Sequence, residues 1–313
     1  MIMNSLTKVL RNYGIYLGFL GIVIVFSFSS EYFLDVYNIM NILVQSSLIA
    51  IIAVGQTFVI LTGGIDLSVG STVAFSSVSI GLLLVSGTPI WLAVILGALV
   101  GAGVGLVNGI AIAYGKIPAF IVTLGMMSIA KGGALALNSG KPVSGLPFKF
   151  EAIASSDLFG IPIFVFYMAI VYVLGYIVLY KLKLGRYLFA IGGNRKSTKL
   201  AGINVKKYET YAYIISGLLA GLGGVLLTAR LNYATPLSGG SYELDTIAAT
   251  VIGGTSLAGG EGSLVGTLIG ALLLGTLRNG LTLLNVVSYY QQIIIGAVII
   301  LAVFYDRMRV GSA

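Results

Sequence analysis

The chain has 313 residues, 58% of them hydrophobic and 9% charged, with a formal net charge of +8 and neither cysteine nor histidine. A soluble domain carries about 25% charged residues, so this chain has too little polar surface to cover a core in water and needs lipid as its solvent. The composition also excludes a disulfide, a Cys or His nucleophile or base and a usual zinc site, and the basic balance reads as loop charge that orients membrane spans rather than as a nucleic-acid surface.

Charges mark the spans in chain order. Arg11 to Glu31 encloses the first, which is too long and lacks the small-residue cleavage site expected of a removed signal peptide. The second, Asn38–Leu61, lies between Asp35 and Asp66. It runs into "ILTGGIDLSVGS", where Asp66 is the single charge between Asp35 and Lys116. Gly63-Gly64 breaks the helix. Asp66 is expected to cap a new helix starting near Leu67, with Ser68 able to accept in the same way. An ionisable residue at a broken helix also suits a pathway or an inter-helix joint, and capping and lining are compatible.

The stretch from Asp66 to Lys116 is too long for one crossing of roughly 20 residues, and Ser86-Gly87-Thr88-Pro89 divides it. Within the second part, Gly97, Gly101 and Gly105 share one helix face, as close helix packing requires, a groove for substrate being the alternative. Asn108 is polar within a span and is a candidate pathway residue. Further spans are expected at 118–137, 161–180, 209–231, 263–284 and 289–305, with a short glycine-broken piece at 246–258.

The fold expected is all-α, a polytopic membrane helix bundle of about ten transmembrane helices with glycine-broken segments. Lys8 and Arg11 before the first span, and Arg307 and Arg309 after the last, place both termini in the cytoplasm. Between Asp157 and Glu209 stand Lys181, Lys183, Arg186, Arg195, Lys196, Lys199, Lys206 and Lys207 with no acid, which makes 182–208 a cytoplasmic loop. Lys116 falls on the same side, and 138–160 on the other. The chain is read as one transmembrane domain, 1–313, containing that loop. Neither long polar segment can hold an ATPase, so an energy source other than an ion gradient must come from another chain.

Two segments complete the candidate set. In "GRYLFAIGGNRKSTKLAGINVKKYE", Gly185–Glu209, the turn Gly192-Gly193-Asn194 precedes about two helical turns from Arg195 to Ala201, which Gly202 ends before Ile203. Such a knob can dock a partner, or can be a solvated loop whose charge only sets topology. In "IGGTSLAGGEGS", Ile252–Ser263, Gly253, Gly254 and Leu257 repeat the spacing of Gly63, Gly64 and Leu67, and Glu261 is placed to cap the helix from Ser263 or to face a partner. Paired glycine-interrupted segments point to a transport site. A second echo, Gly105-x-x-Asn108-Gly109 against Gly275-x-x-x-Asn279-Gly280, has the opposite relative orientation, so one simple repeat cannot produce both.

The Gly185–Glu209 segment resembles the coupling loop of bacterial ABC-transporter permeases. Their usual motif is E-A-A-x-x-x-G, and here the acid and first alanine are absent, the stretch reading Lys199-Leu200-Ala201-Gly202-Ile203. "LTGGIDLSVGS", "LVNGIAIAYGKIPAFIVTLGMM" and "GGTSLAGGEGSLVGTLIGALLLGTLRNGLTLL" are similar to the ribose or monosaccharide branch of these permeases, and the likeness runs over essentially the whole chain. It implies a multi-pass protein of a bacterial-type cytoplasmic membrane, in contact with membrane lipid. The implied partners are a separate ABC ATPase that binds ATP and Mg, an extracytoplasmic sugar-binding protein and a second permease copy, identical or paralogous. No cofactor is implied for this chain. Ribose or a similar sugar is the expected cargo, with autoinducer-2 or a nucleoside as alternatives within the branch. An ion-coupled secondary transporter using Asp66 is the remaining possibility outside it.

Overall fold

The protein is represented by a computed structural model that describes residues 2–310, with side chains from 14 to 304 except 302. The side chains of Lys8, Arg11, Arg307 and Arg309, which carry the expectation for the termini, lie outside the described residues. The elements run α1 (Ile2–Ser29), α2 (Val36–Leu61), α3 (Val69–Val85), α4 (Ile90–Ala113), α5 (Ala119–Leu137), α6 (Phe148–Ser155), β1 (Asp157–Leu158), β2 (Ile161–Pro162) and α7 (Ile163–Tyr176). A π-helical turn, Ile177–Lys181, leads into α8 (Lys183–Gly193), α9 (Arg195–Leu200), α10 (Val205–Leu231), α11 (Tyr242–Ile252), α12 (Leu264–Leu283) and α13 (Ser288–Val310). The sole sheet among the described residues is a hairpin pairing Asp157 with Pro162 and Leu158 with Ile161.

Among the described residues, six helices are long and apolar enough to cross a membrane: α2, α4, α5, the continuous Ile163–Lys181 helix, α10 and α12. Within α1, α3 and α13, shorter apolar stretches run over Gly14–Ser29, Val69–Val85 and Ser288–Leu301. The architecture is a helical bundle of the polytopic membrane type. Its centre is α2, α10 and α12, whose apolar windows are mostly buried, while α4, α5 and Ile163–Lys181 turn most of theirs outward. Outward apolar faces are ruinous in water and natural in lipid.

The division at Ser86–Pro89 falls between α3 and α4 as the sequence predicts. Two boundaries move. The short piece expected at 246–258 is helical over Tyr242–Ile252, followed by a turn to Ser263. Its start is masked in sequence by Glu243 and Asp245, but Asp245 is buried and accepts from the Arg278 guanidinium of α12 at 2.7 and 2.8 Å. The span expected from 209 begins at Val205, because Asn204 caps it by accepting from the Lys207 N–H at 3.2 Å.

The glycine face of α4 lies against α10. A Cβ on Gly101 would overlap the Gly217 carbonyl oxygen and come 2.7 Å from the Gly221 Cα, and one on Gly109 would come 2.8 Å from the Thr210 Cα. Backbones at this distance leave no room for a methyl group. Gly101→Ala is therefore expected to lower the thermal midpoint in detergent, with a stability loss of about 1–3 kcal/mol. Gly103→Ala, on a face with nothing within 4 Å, should not. Equal midpoints for the two variants would refute the packing argument.

Candidate functional site

The basic segment folds as two helices rather than a turn and a helix. Gly192 and Gly193 close α8 instead of forming a turn, and Asn194 alone makes the corner, its side chain accepting from the Ser197 N–H at 2.9 Å to cap α9. Gly202, at φ +80°, ends α9 as expected. Thr198 is the buried anchor, donating to the carbonyls of Ala190 and Asn194 at 2.7 and 2.8 Å. Around it Gly193 to Gly202 is otherwise exposed, and Leu200 is 88% exposed at the tip. Arg195 donates to both oxygens of Glu209 at 2.7 and 2.6 Å, tying α9 to α10. Those bonds raise Arg195 above the ordinary arginine value, so the guanidinium stays charged.

Position 192 needs glycine because its Cα faces other backbone. A Cβ there would overlap the Leu61 carbonyl oxygen and the Gly260 amide. Leu61 ends α2, and its carbonyl, left without an intrahelical donor, accepts from the Gly260 N–H at 3.0 Å. A Cβ on Gly259 would come 2.7 Å from the Gly63 nitrogen and 3.0 Å from the Gly192 Cα, and one on Gly260 would come 2.7 Å from the Gly193 nitrogen. The three glycine-rich motifs, at 63–64, 192–193 and 259–260, thus meet backbone to backbone at one junction.

The two breaks share a geometry. Gly63 and Gly64 donate to the Ile60 and Val59 carbonyls at 2.8 and 3.4 Å, and Gly254 and Thr255 donate to Val251 and Thr250 at 2.8 and 3.1 Å. Each is the paired-bond helix ending that needs positive φ, at Gly63 (+79°) and Gly254 (+87°). The structural match is therefore Gly63 with Gly254, one residue out of the register in which Gly63-Gly64 aligns with Gly253-Gly254. Gly253 serves a different need, since a Cβ there would press on the backbone of Gly266 and Thr267 at 2.5 Å. The second echo has no common role, because Asn108 bonds Ser68 whereas Asn279 exchanges amide bonds with Asn38 at 2.8 and 3.0 Å.

Asp66 is 1% exposed but does not cap α3 directly. Ser68 is the cap residue, without a side-chain cap bond. Asp66 Oδ1 instead accepts from the Ser68 N–H at 3.0 Å and the Ser68 hydroxyl at 2.6 Å, and Oδ2 accepts from the Ser216 hydroxyl of α10 at 2.9 Å. Ser68, expected to accept from backbone, accepts from the Asn108 amide of α4 at 2.9 Å. The Gln56 amide, oriented to satisfy both groups, bonds the Asp66 backbone N–H and carbonyl at 3.3 Å each. The carboxylate thus ties the break to α10, the Asp66 backbone ties it to α2, and Ser68 ties it to α4. Glu261 does not cap α12. Ser263 does, accepting from the Gly266 N–H at 3.3 Å, and Glu261 is exposed while its carbonyl accepts from the Ser256 N–H. The hydroxyl nearer the helix start displaces the longer acid.

Sequence reasoning missed Glu209, Tyr213, Gln56 and Ser216. Glu209 carried a signal, as the one acid after eight cations. Gln56 carried one too, as an amide within a long apolar run. Tyr213 and Ser216 carried none. Tyr213 is fully buried against the break, where a Cβ on Gly64 would overlap its hydroxyl.

The chain matches, over residues 38–303, the model of the family described as branched-chain amino acid transport system / permease component. It belongs to that family and is a membrane permease component rather than an enzyme. Among individual relatives it is similar to the ribose import permease protein of Bacillus subtilis strain 168, 45% identical over 303 residues and covering 96% of this chain and 94% of that one. The ribose import permease protein of Escherichia coli K12 is 44% identical over 299 residues, covering 93% and 92%. The D-allose transport system permease protein of the same strain is 41% identical over 298 residues, covering 95% and 91%. No solved structure matches the chain.

Proposed function

We propose that this chain is the permease of an ATP-driven importer for ribose or a closely related monosaccharide in a bacterial-type cytoplasmic membrane. The likeness to sugar permeases over nearly the whole of both chains supports the cargo class. In this reading the exposed α9 knob seats in a cleft of a separate ATPase, which binds ATP and Mg. An extracytoplasmic binding protein delivers the sugar, and a second permease copy completes the pathway. Counting the short α11 with α1, α2, α3, α4, α5, α7, α10, α12 and α13 gives ten crossings and two cytoplasmic termini, with 182–208 on the ATPase side of a single 1–313 domain.

The observation that carries the mechanism is the glycine junction. A displacement of α8 cannot be absorbed by side chains at Gly192, because backbone meets backbone there. ATP-driven closure that moves the knob therefore moves the end of α2 and the 259–260 turn with it. Those are the endings of the two broken segments, so the helices flanking the pathway shift between outward- and inward-facing states. Gly63, Gly64, Gly253 and Gly254 supply the joints. Asp66, Ser68 and Asn108 hold the first joint in register. With its oxygens already engaged by three donors, Asp66 is a structural anchor, not an ion-coupling site.

The test is ATP hydrolysis in lipid nanodiscs by the chain with its ATPase and binding protein, across a panel of sugars. Ribose should stimulate hydrolysis, and Gly202→Arg should abolish the stimulated component while the protein stays folded. Gly202 has open space around it but a positive φ, so the substitution alters the knob and not the core. Hydrolysis indifferent both to sugar and to Gly202→Arg would remove the coupling reading.

A further inference from the structure

Beside the knob lies a cavity of ≈ 630 Å³ between the α4–α5 turn, the Gly63-Gly64 break and the start of α10. Its lining carries four cations, Lys116, Arg195, Lys199 and Lys206, against one acid, Glu209. Glu209 is already bonded at both oxygens by Arg195. Among the described residues no carboxylate forms an ion pair with the three lysines. Lys206 instead rests over the Tyr114 ring, 5.1 Å from its centroid. The α5 N-terminus also ends in the cavity wall, at Pro118 and Ala119, and adds the positive end of a 19-residue helix.

Two features narrow what fills this cavity. The first is backbone strain. Lys116 adopts φ +57°, although glycine, which takes that conformation freely, stands next to it at 115. A lysine held where glycine would relax points to a use for its charge. The second is the apolar rim. Ile117 lines the cavity and is 42% exposed, and Ile110, Tyr114, Phe120 and Ile121 continue an exposed apolar face along the ends of α4 and α5. A cationic recess opening beside an outward apolar face suits a molecule with a phosphate at one end and hydrocarbon at the other.

We propose that the cavity binds the phosphate headgroup of an anionic membrane lipid, with its acyl chains along the exposed α4–α5 face. This rests on the reading above only for orientation, which places the cavity at the cytoplasmic leaflet, where anionic lipid and basic side chains meet. A bound lipid would neutralise lysines that no described carboxylate pairs with and fix the α4–α5 turn beside the knob.

The test uses the full-length chain purified from an equal mixture of phosphatidylglycerol and phosphatidylcholine, with retained lipid counted by native mass spectrometry. Phosphatidylglycerol should be retained selectively. Lys116→Gly and Lys206→Gln should each weaken its retention about fivefold. Lys116→Gly is the decisive variant, because it relieves the backbone and should melt no lower than wild type, so loss of lipid cannot be laid to misfolding. Equal retention of both lipids, or unchanged retention in both variants, would overturn the proposal. So would displacement of the lipid by inorganic phosphate, which would assign the cavity to a free anion. A Lys116→Gly chain that kept its lipid but bound the ATPase more weakly would assign it to an acidic segment of that partner.

Discussion

A Gly192→Ala chain will lose sugar-stimulated ATP hydrolysis and unfold at a lower temperature than wild type, while Gly193→Ala will unfold no earlier than wild type. The two glycines are neighbours at the end of α8 and differ only in what they face. A methyl group on Gly192 overlaps the Leu61 carbonyl and the Gly260 amide, and the next obstacle is the Gly259 carbonyl carbon at 2.9 Å. All three are backbone atoms, which cannot step aside as a side-chain tip can. The end of α2, the end of α8 and the 259–260 turn must separate, and the Gly260–Leu61 hydrogen bond lengthens with them. Overpacking costs about 1–3 kcal/mol, and the rigidity of the obstacle puts this case at the upper end. Gly193 has nothing within 4 Å of an added Cβ, and alanine is the better helix former. Melting curves and nanodisc hydrolysis on both variants decide the matter. If Gly192→Ala kept wild-type stimulation, the junction would not transmit the knob's movement.

Asp66→Ala is expected to cost about 2–4 kcal/mol, because it leaves the Ser216 hydroxyl and the Ser68 N–H and hydroxyl facing an apolar methyl in a fully buried place. Asp66→Asn keeps one acceptor oxygen, and the serine hydroxyls can turn to accept from its amide, so about 1–2 kcal/mol is lost. Chemical denaturation of both variants gives these values. Uptake by the asparagine variant should remain ATP-dependent and sugar-specific. An asparagine variant as stable as wild type but without uptake would show instead that the carboxylate acts on what is transported.

The parts of the fold that rest on local rules were legible in the sequence. Charge spacing located the long spans, Ser86–Pro89 the division before α4, and Gly202 the end of α9. The Gly97–Gly105 face predicted a tight helix contact, and α10 supplies it. What was not legible is long-range. Nothing local to Gly63, Gly192 or Gly259 says that the three touch, since backbone contacts leave no side-chain complementarity to read. Asp245 disguised a helix start because its partner Arg278 is 33 residues away. The one-residue shift between the two breaks escaped notice because glycine serves two needs there, positive φ at Gly254 and close approach at Gly253, and the letter is the same for both.

The central helix α2 has a bearing on how the protein is made. It leaves the ribosome early, yet most of its neighbours, α10 to α12, come late. Asn38 and its partner Asn279 are 241 residues apart, an interval on the order of 10–50 s at ordinary rates of synthesis. A helix waiting that long in lipid must satisfy its own polar groups, and α2 does so at several positions, though the buried Ser46 hydroxyl has no partner among the described residues. Ser47 donates to the Leu43 carbonyl at 2.6 Å, Thr57 to Ala53 at 2.8 Å, and Gln56 reaches the Asp66 backbone ten residues on. Asn38 has the Phe33 carbonyl at 2.9 Å and sits at the helix start beside the exposed Val36 and Tyr37. The first-made core helix can therefore enter the bilayer with several of its polar groups already bonded, and the last-made helices dock onto it, Gly275 of α12 against Ser46.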